Sequence, residues 1–489
     1  MYPSLTHFVQ FLEERGELCR LREPVRAELE ITEITDRTTK AGGPALLFEN
    51  VIKTNGERSK FPLLINTYGT WKRMAWALGV EEIEEIAREI EEILKSQPPS
   101  GLWDKLKMLP KLAKFGSFLP KGVSQGVCQE VVLSGPDLSI LPYLKCWPGD
   151  GGPYITFPLV ITKDPDTGIR NVGTYRMQVF DKKTTGMHWQ VHKTGARHAQ
   201  RYWELKKKIP VAVCLGGDPA YGYSATAPLP DGVDELILAG FIRKKGVELV
   251  RCKTIDMEVP ADCDFVIEGY VDPMEPLVKE GPFGDHTGYY SLADNYPLFH
   301  VTAITHRKEP IYSTTIVGPP IQEDGFLGKA SERIFMPLIR MNFPEIRDLC
   351  VPIETCFHNL AIVSIKKQYP GHAKKIMHSI WGTGQMMFSK CIIVVDEDVN
   401  VQNLTEVAWR VSNNIDAKRD ILFAEGPVDA LDHAAPQFAY GSKMGIDATR
   451  KWREEGFERD WPEVLKMRED VKKRVNEIWE NLEIIKRGK

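Results

Sequence analysis

Three ionisable side chains lie within one eleven-residue segment, Glu280-Gly-Pro-Phe-Gly-Asp-His-Thr-Gly-Tyr-Tyr290. They are Glu280, Asp285 and His286. The three glycines of the segment permit left-handed or close-approach backbone, and its proline fixes one φ angle. Such rigidity is typical of a site that holds two carboxyl groups at a set angle. A tight acidic turn between two strands has the same pattern, so the segment alone leaves both interpretations open.

A second candidate is Asn171-Val-Gly-Thr-Tyr-Arg176, which follows a turn and begins a strand. Asn171 and Arg176 are an odd number of positions apart, so a regular strand would point them to opposite faces. If both serve one site, the strand must bulge or lie at a barrel rim near Gly173. The alternative is an exposed asparagine and an arginine in a surface ion pair.

The two histidines of His188-Trp-Gln-Val-His192 are four positions apart, as in zinc-protease helices. Those helices carry a glutamate as general base where this chain has Trp189, and Val191 suits a helix poorly. We therefore reject a metalloprotease. One of the two histidines remains a candidate metal ligand, although a single histidine is more often structural.

Glu235 and Lys390 are ambiguous on sequence alone. Glu235 lies near the start of a predicted helix, where an acid commonly complements the helix dipole. Lys390 precedes the β-branched run Cys391–Val395 and is either a phosphate ligand or a surface lysine. The chain has no P-loop, no nucleophile elbow and no dinucleotide-binding glycine fingerprint.

Composition limits the class of protein. The chain has 489 residues, 43% of them hydrophobic, and a net charge of −4, which gives no reason to expect a nucleic-acid partner. Its nine cysteines contain no C-x-x-C pair, as expected for reduced thiols in the cytoplasm. No apolar run approaches the ~18 residues of a membrane span. We expect a multi-domain cytoplasmic protein.

The pattern of the chain changes twice. Residues 1 to about 96 alternate helices and strands, and Gln97-Pro-Pro-Ser-Gly101 predicts a linker. The central third has a period of two, with helical inserts near 196–208 and 232–244, which favours a barrel or sandwich. Alternation resumes from about 326. The predicted central strands are Ile155–Thr162, Val172–Phe180, Val211–Leu215, Val247–Cys252, Phe265–Val271, Phe299–Thr305 and Ile311–Val317.

Taken in order, these segments resemble the UbiD family of decarboxylases. Ile365-Lys-Lys-Gln-Tyr-Pro-Gly-His-Ala373 and Lys390-Cys-Ile-Ile-Val-Val-Asp-Glu-Asp398 extend the resemblance, which covers the chain to about Trp452. Within the family the chain is most similar to the 3-polyprenyl-4-hydroxybenzoate decarboxylases of ubiquinone synthesis. Those enzymes have Asp at the position of Asp285, where ferulate-type and phenolic-acid members usually have Glu.

The resemblance implies an α/β multi-domain fold. Its parts would be an N-terminal α/β domain and linker (1–120), a split β-barrel that binds the cofactor (121–320) and a C-terminal α/β domain (321–450). A helical extension (451–489) would contact another copy in a dimer or hexamer.

It also implies prenylated FMN, made by a separate flavin prenyltransferase and joined to the protein through Mn²⁺ or another divalent ion, with K⁺ beside it. By motif position the metal ligands are Asn171, His192 and Glu235, and the catalytic residues are Arg176, Glu280 and Asp285. Lys193 and Thr194 stand where ubiquinone-type enzymes have Arg-Gly. Besides these, the residues expected to contact the cofactor are Thr174, Tyr175, His188, Trp189, Gln190 and Lys390.

The expected activity is non-oxidative, reversible decarboxylation of an aromatic or conjugated acid, with a polyprenylated 4-hydroxybenzoate-type acid as the first candidate. Arg176 would hold the carboxylate through two N–H groups, and a protonated acid at Glu280 or Asp285 would deliver the proton. Isoprenoid-phosphate, phenolic and naphthoic acids are alternative substrates. A manganese-dependent hydrolase and a non-enzymatic flavin-binding protein are alternative functions. Membrane contact is expected only for a polyprenylated substrate. The candidate pocket residues are Met274, Leu292, Ile316, Ile321 and Phe326.

Overall fold

The computed structural model describes residues 2–95, 116–190, 193–230, 232–479 and 482. The predicted linker at 97–101 and the predicted metal ligand His192 lie outside these residues. The described chain has the mixed α/β, multi-domain fold expected from the sequence. No helix in these ranges is both long enough and apolar enough to cross a membrane. The α-helices are Leu5–Glu14, Glu30–Lys40, Trp71–Ala77, Glu84–Leu94, Thr194–Leu205, Pro219–Ser224, Glu235–Arg243, Glu323–Ile334, Met336–Asn342, His372–Trp381, Leu404–Asn414, Ala417–Asp420 and Glu469–Trp479.

The N-terminal part is built on a four-stranded sheet. Three of its strands come from the first 65 residues, and the fourth comes from the far end of the central part, so the two parts share a sheet. Leu46, Phe48, Leu63 and Ile65 of this sheet belong to one hydrophobic core with residues of the central sheet. The N-terminal part therefore supports the site directly. In spatial order the strands are Leu18–Leu21, Ala45–Phe48, Leu63–Ile65 and Tyr312–Ser313.

The central part contains a seven-stranded antiparallel sheet, which agrees with the predicted period of two. Phe265–Val271 has the predicted bounds. The six strands of its main path, in spatial order, are Arg170–Thr174, Leu159–Lys163, Ile209–Leu215, Phe265–Val271, Leu298–His306 and Thr184–Gly186, and Val131–Val132 pairs with Leu298–His306. Glu258–Pro260, Glu248–Arg251 and Lys121–Val123 form a smaller three-stranded sheet.

Two of the predicted central strands are each broken in two, and a third, Ile311–Val317, forms a strand only over Tyr312–Ser313, in the N-terminal sheet. The segment predicted over Ile155–Thr162 is broken before Leu159, next to Pro158, which has no N–H to give to a ladder. The segment predicted over Val172–Phe180 is broken after Thr174. Tyr154–Ile155 and Met177–Gln178 then pair with each other in a separate two-stranded ladder. Arg176 therefore lies at the bend between two ladders.

The C-terminal part is a five-stranded mixed sheet covered by helices. Leu360–Ile365 and the helix His372–Trp381 have the predicted bounds, because both are long, strongly patterned and bounded by turn residues. Met336 and Phe343 precede the strand Ile346–Cys350 and pack against the hydrophobic core of the C-terminal part. In spatial order its strands are Ile346–Cys350, Leu360–Ile365, Cys391–Asp396, Tyr440–Asp447 and Ile421–Pro427.

Candidate active site

The acidic segment folds into two short hairpin ladders. Val278–Glu280 pairs with Asp294–Tyr296, and Phe283–Gly284 pairs with Tyr290–Ser291. Gly281 has a φ of +95°, which favours glycine. A Cβ on Gly284 would lie 2.2 Å from Trp147 Cδ1. The turn is thus rigid as predicted, and it is buried: Glu280 is 0% exposed and Asp285 7%.

Arg176 joins both acids of this turn. Its Nε donates to Glu280 Oε1 at 2.9 Å, and its Nη2 donates to Glu280 Oε2 at 3.2 Å. Its Nη1 donates to Asp285 Oδ2, and Nη2 also donates to Ser291 Oγ at 3.0 Å. The guanidinium lies over the Phe283 ring, 4.7 Å from its centroid. The three predicted catalytic residues therefore form one contiguous buried cluster.

This geometry changes the role expected for Arg176. A guanidinium has five N–H donors, and four hydrogen bonds hold Glu280, Asp285 and Ser291. Glu280 occupies the edge formed by Nε and Nη2, and Asp285 and Ser291 take one N–H each of the edge formed by Nη1 and Nη2, so no pair of N–H groups is left to bind a substrate carboxylate in the two-pronged manner expected from the sequence. Arg176 positions the two acids and leaves one N–H for another ligand.

The two acids are ionised in this arrangement. Burial alone would raise the pKa of Glu280, but the hydrogen bond from His188 and the charge of Arg176 outweigh it and lower that pKa to about 2. Burial likewise opposes ionisation of Asp285, but its hydrogen bond with His286 and the charge of Arg176 bring the pKa of Asp285 well below its ordinary value. This arrangement favours the ionised form of both acids, whereas the mechanism expected from the sequence needs one of them to be protonated when it delivers the proton.

Three predicted cofactor-contacting residues carry buried polar atoms without a hydrogen-bond partner among the described residues. These atoms are Thr174 Oγ1, His188 Nε2 and Trp189 Nε1. The other ring nitrogen of His188, Nδ1, lies 3.0 Å from Glu280 Oε2, and its ring packs on Tyr296 with centroids 4.2 Å apart. Buried polar atoms are normally paired, and Thr174 and His188 line the cavity described below, so their unpaired atoms suit a ligand rich in nitrogen and oxygen, such as a flavin, whereas Trp189 does not line it.

A cavity of about 640 Å³ lies against this cluster. Its volume is within the range of small-molecule sites, about 300–1,000 Å³. Predicted site residues form one wall: Thr174, Tyr175, Arg176, His188, Gln190, Lys193 and Asp285. The C-terminal part also lines the cavity, with the apolar side chains Phe335, Leu338, Ile339, Phe343, Ile346, Leu349, Val351, Ile380, Met386, Phe388 and Leu431 and the polar residues Ser331, Glu332, Asn342, Thr383, Gln385, Ser389 and Asp429.

Other predicted residues lie away from the cavity surface. Thr194 begins the helix Thr194–Leu205. Lys390 Nζ forms an ion pair with Asp432 at 2.9 Å. The five pocket residues named from the sequence do not line the cavity, and Met274 and Leu292 are exposed instead, Leu292 at 89%. Their hydrophobicity indicated burial, but the direction of each side chain depended on the tertiary fold.

Two of the predicted metal ligands, Asn171 and Glu235, lie on a strand and a helix that contact each other. Glu235 Oε2 accepts a hydrogen bond from Val172 N at 2.7 Å, which brings the first turn of its helix against the strand that carries Asn171. Burial raises the pKa of Glu235 to about 7, because the hydrogen bond from Val172 N and the charge of Arg170 offset the burial only in part. No group of three or more His, Cys, Asp or Glu side chains that could hold a metal occurs within the described ranges, which do not include His192. The oxygen donors that are present suit a manganese-like ion.

Sequence reasoning missed His358 and Ser291 as members of the site. Ser291 accepts a hydrogen bond from Arg176 and lies one residue beyond the conspicuous segment. His358 Nε2 lies 2.8 Å from His286 Nε2 and lines the same cavity. No motif surrounds His358, so nothing in its local sequence distinguished it.

Comparison with protein-family models matches three parts of the chain. Residues 9–93 match the 3-octaprenyl-4-hydroxybenzoate carboxy-lyase N-terminal domain. Residues 121–320 match its Rift-related domain, and residues 325–448 match its C-terminal domain. The chain belongs to the UbiD family.

Relatives and solved structures agree with this assignment. An uncharacterized protein of Aquifex aeolicus is 53% identical over 99% of both chains. The structure is similar to vanillic acid decarboxylase of Sedimentibacter hydroxybenzoicus in its closed form, with a TM-score of 0.84, 27% identity and 99% of each chain covered. It is also similar to an evolved dimeric form of the UbiD-class enzyme HmfF from Pelotomaculum thermopropionicum in complex with prFMN, with a TM-score of 0.76 and 28% identity over 94% of this chain and 97% of that one. This UbiD family member is a carboxy-lyase.

Proposed function

We propose that this carboxy-lyase is a prenylated-FMN-dependent, non-oxidative decarboxylase of an aromatic or conjugated carboxylic acid. The observation that carries the proposal is the buried cluster of Arg176, Glu280 and Asp285 at the wall of a large cavity. A rigid, solvent-poor pair of acids suits a reaction in which one chosen group must protonate carbon. The prenylated FMN found in the HmfF structure supports the choice of cofactor.

Prenylated FMN, when bound, supplies the electrophilic centre that accepts the electron pair left by CO₂. Thr174 and His188 would contact it through their unpaired polar atoms. Asn171, Glu235 and His192 would hold a Mn²⁺ ion that joins its phosphate to the protein, with K⁺ nearby. Arg176 holds Glu280 and Asp285 in fixed positions at the cavity, and its remaining N–H would bind one oxygen of the substrate carboxylate.

A 4-hydroxybenzoate-type acid with a polyprenyl tail suits the cavity best. Much of the cavity lining from the C-terminal part is apolar, and Leu338 and Ile339 of the helix Met336–Asn342 belong to this apolar wall. A short phenolic acid would leave this wall without a contact, whereas a prenyl chain would bury against it at about 0.8 kcal/mol per CH₂ group. We propose on this basis that the reaction belongs to quinone biosynthesis, after a step that attaches the tail.

We further propose that this protein is cytoplasmic and receives its cofactor from a flavin prenyltransferase. It assembles with copies of itself as a dimer or hexamer through residues 451–489. In support, Glu469–Trp479 buries none of its residues, and Trp479 is 48% exposed. A polyprenylated substrate would require contact with a membrane surface to reach the cavity.

The test uses protein co-expressed with a flavin prenyltransferase. We expect a modified-flavin absorbance spectrum and CO₂ release from a polyprenylated 4-hydroxybenzoate. Phenolic, naphthoic and isoprenoid-phosphate acids form the comparison panel, and faster turnover of any of them would reject the prenylated substrate.

Arg176→Ala and Glu280→Gln should abolish turnover while the cofactor stays bound. Glu248→Gln, at an exposed acid, is the control and should leave turnover unchanged. Full activity in Arg176→Ala or Glu280→Gln, or CO₂ release without flavin, would refute the assignment.

A further inference from the structure

Asp285 contacts His286, and His286 in turn contacts His358 of the C-terminal part. Asp285 Oδ1 lies 3.0 Å from His286 Nδ1 and accepts a hydrogen bond from His286 N at 2.8 Å. His286 Nε2 lies 2.8 Å from Nε2 of His358. His358 belongs to the C-terminal part and lies two residues before the strand Leu360–Ile365. All three side chains line the 640 Å³ cavity.

The geometry restricts where the protons are. The carboxylate of Asp285 can only accept, so Nδ1 of His286 carries a proton. The two Nε2 atoms share one further proton between them. If this proton is on His286, that ring is an imidazolium and His358 accepts from it.

The surrounding charges favour the imidazolium on His286. Burial disfavours it, but the hydrogen bond with Asp285 outweighs burial and raises the pKa of His286. Burial and the charge of His286 lower the pKa of His358 to about 4. The remaining charged groups that face the pair are Asp324 of the helix Glu323–Ile334, Asp429 and Asp432 of the loop after Pro427, and Lys193.

The reaction consumes one proton for each CO₂ released. The hydrogen bonds of Glu280 with His188 and of Asp285 with His286, together with the charge of Arg176, lower the pKa of both acids, which favours a different group as the store of that proton. His286 is the protonatable group that directly contacts Asp285. A proton on its Nδ1 is therefore one transfer away from the acid that lies beside Arg176.

We propose that His286 stores the proton that Asp285 delivers to carbon, and that His358 is a positioning residue that accepts from Nε2 of His286 and keeps the proton there. This inference rests on the proposed decarboxylation. As CO₂ leaves, the Nδ1–H bond of His286 breaks and an O–H bond forms on Asp285. That O–H bond then breaks as the C–H bond of the product forms. Asp285 is again a carboxylate, His286 is a neutral imidazole, and solvent reprotonates His286 before the next turnover.

The activity test separates proton delivery from CO₂ loss. Exchange of labelled CO₂ into the substrate requires no proton at carbon, whereas product formation does. In loaded enzyme, His286→Gln should lower product formation about 10²-fold or more, in line with a general acid, but should keep exchange within about tenfold of wild type. The wild-type loss of kcat/KM at alkaline pH should also disappear.

Variants at His358 test its positioning role. His358→Leu removes the acceptor and should lower the pH at which activity is lost, whereas His358→Gln keeps an acceptor oxygen and should restore most of the profile. His300→Gln is the control, because His300 pairs with Glu275 away from the cavity and should leave all rates unchanged. An equal loss of exchange and product in His286→Gln, or no loss of either, would overturn the relay.

A second measurement needs no cofactor or substrate. In ¹⁵N-histidine-labelled apoprotein at pH 7, the signal that His286→Gln removes should be that of an imidazolium, and His358→Leu should lower its titration midpoint. A neutral His286 at pH 7 would overturn the inference, whatever the enzyme does. If loaded wild type releases no CO₂ from any acid, the proposed function fails, while this spectrum still decides where the proton resides.

Discussion

Replacing Glu280 with glutamine should cost about 3 kcal/mol of folding free energy at pH 7. Glu280 is 0% exposed and ionised, and it accepts two hydrogen bonds from Arg176. The lowering of its pKa from 4.5 to about 2 is equivalent to about 3 kcal/mol in favour of the ionised form. Glutamine keeps an acceptor oxygen for Arg176 but removes the charge. The arginine, buried with only Asp285 to neutralise it, would then lose much of its compensation.

The sign of the pH dependence follows from the direction of the shift. The folded-state pKa is depressed, so the stabilisation is complete above 4.5 and is lost as pH falls from 4.5 towards 2. Between pH 7 and pH 4 the stability difference between wild type and Glu280→Gln should narrow by about 1 kcal/mol. Urea unfolding of both apoproteins at the two pH values measures this difference.

Glu323 provides a matched control of opposite sign. It is also buried, but its partners are neutral, Tyr68 N and the Thr315 hydroxyl, and burial raises its pKa. Its folded-state pKa is above the unfolded value, so Glu323→Gln should gain stability relative to wild type as pH rises. If Glu280→Gln showed no pH-dependent difference, or the same slope as Glu323→Gln, the ionised Arg176 cluster would be refuted.

Three further outcomes are expected. Leu338→Arg, in the apolar wall, should lower kcat/KM for a polyprenylated acid about 10²-fold but leave kcat/KM for a short phenolic acid unchanged. The control is Met341→Arg, on the same helix but at a side chain that is 61% exposed, and it should leave both values unchanged. A loss of activity on both acids in Leu338→Arg would contradict the tail-binding wall. Mn²⁺ affinity, measured by electron paramagnetic resonance titration, should fall about tenfold per pH unit below 7, because protons compete with the metal for Glu235, whose pKa is about 7. Glu235→Gln should bind Mn²⁺ weakly at every pH. A wild-type Mn²⁺ affinity that does not change with pH would argue against Glu235 as a ligand. Lys193→Ala should weaken FMN binding in a fluorescence titration by about 10–100-fold, because Lys193 lines the cavity. Lys390→Ala should have little effect on FMN binding, because Lys390 is paired with Asp432. A larger loss of FMN affinity in Lys390→Ala than in Lys193→Ala would place the phosphate at Lys390.

Much of the fold was predictable because its signals are local. The strand Phe265–Val271 and the helix His372–Trp381 have strong periodicity and clear boundaries, and both were predicted to the residue. The errors in the central sheet occurred at Pro158 and after Thr174, where the chain leaves one ladder for another. A change of partner strand depends on residues far away in sequence, so periodicity could not show it.

The site was predictable in membership but not in arrangement. The ordered motifs identified Arg176, Glu280 and Asp285, and the structure brings them together. The motifs could not show that Glu280 accepts hydrogen bonds from both Nε and Nη2 of Arg176. They also could not show that the surroundings favour the ionised form of both acids. Those properties follow from distances and burial, which side-chain type alone does not specify.

The sequence alone was sufficient to identify the family and the types of side chain in the active site, because short contiguous motifs around Arg176 and Glu280 contain them. Only the tertiary structure decided what surrounds them: a cavity with an apolar wall from the C-terminal part, and the contact of His286 with His358, 72 positions further along the chain. The physical reason is that a hydrogen bond or a pKa shift depends on separation and desolvation in space, and long-range packing sets both.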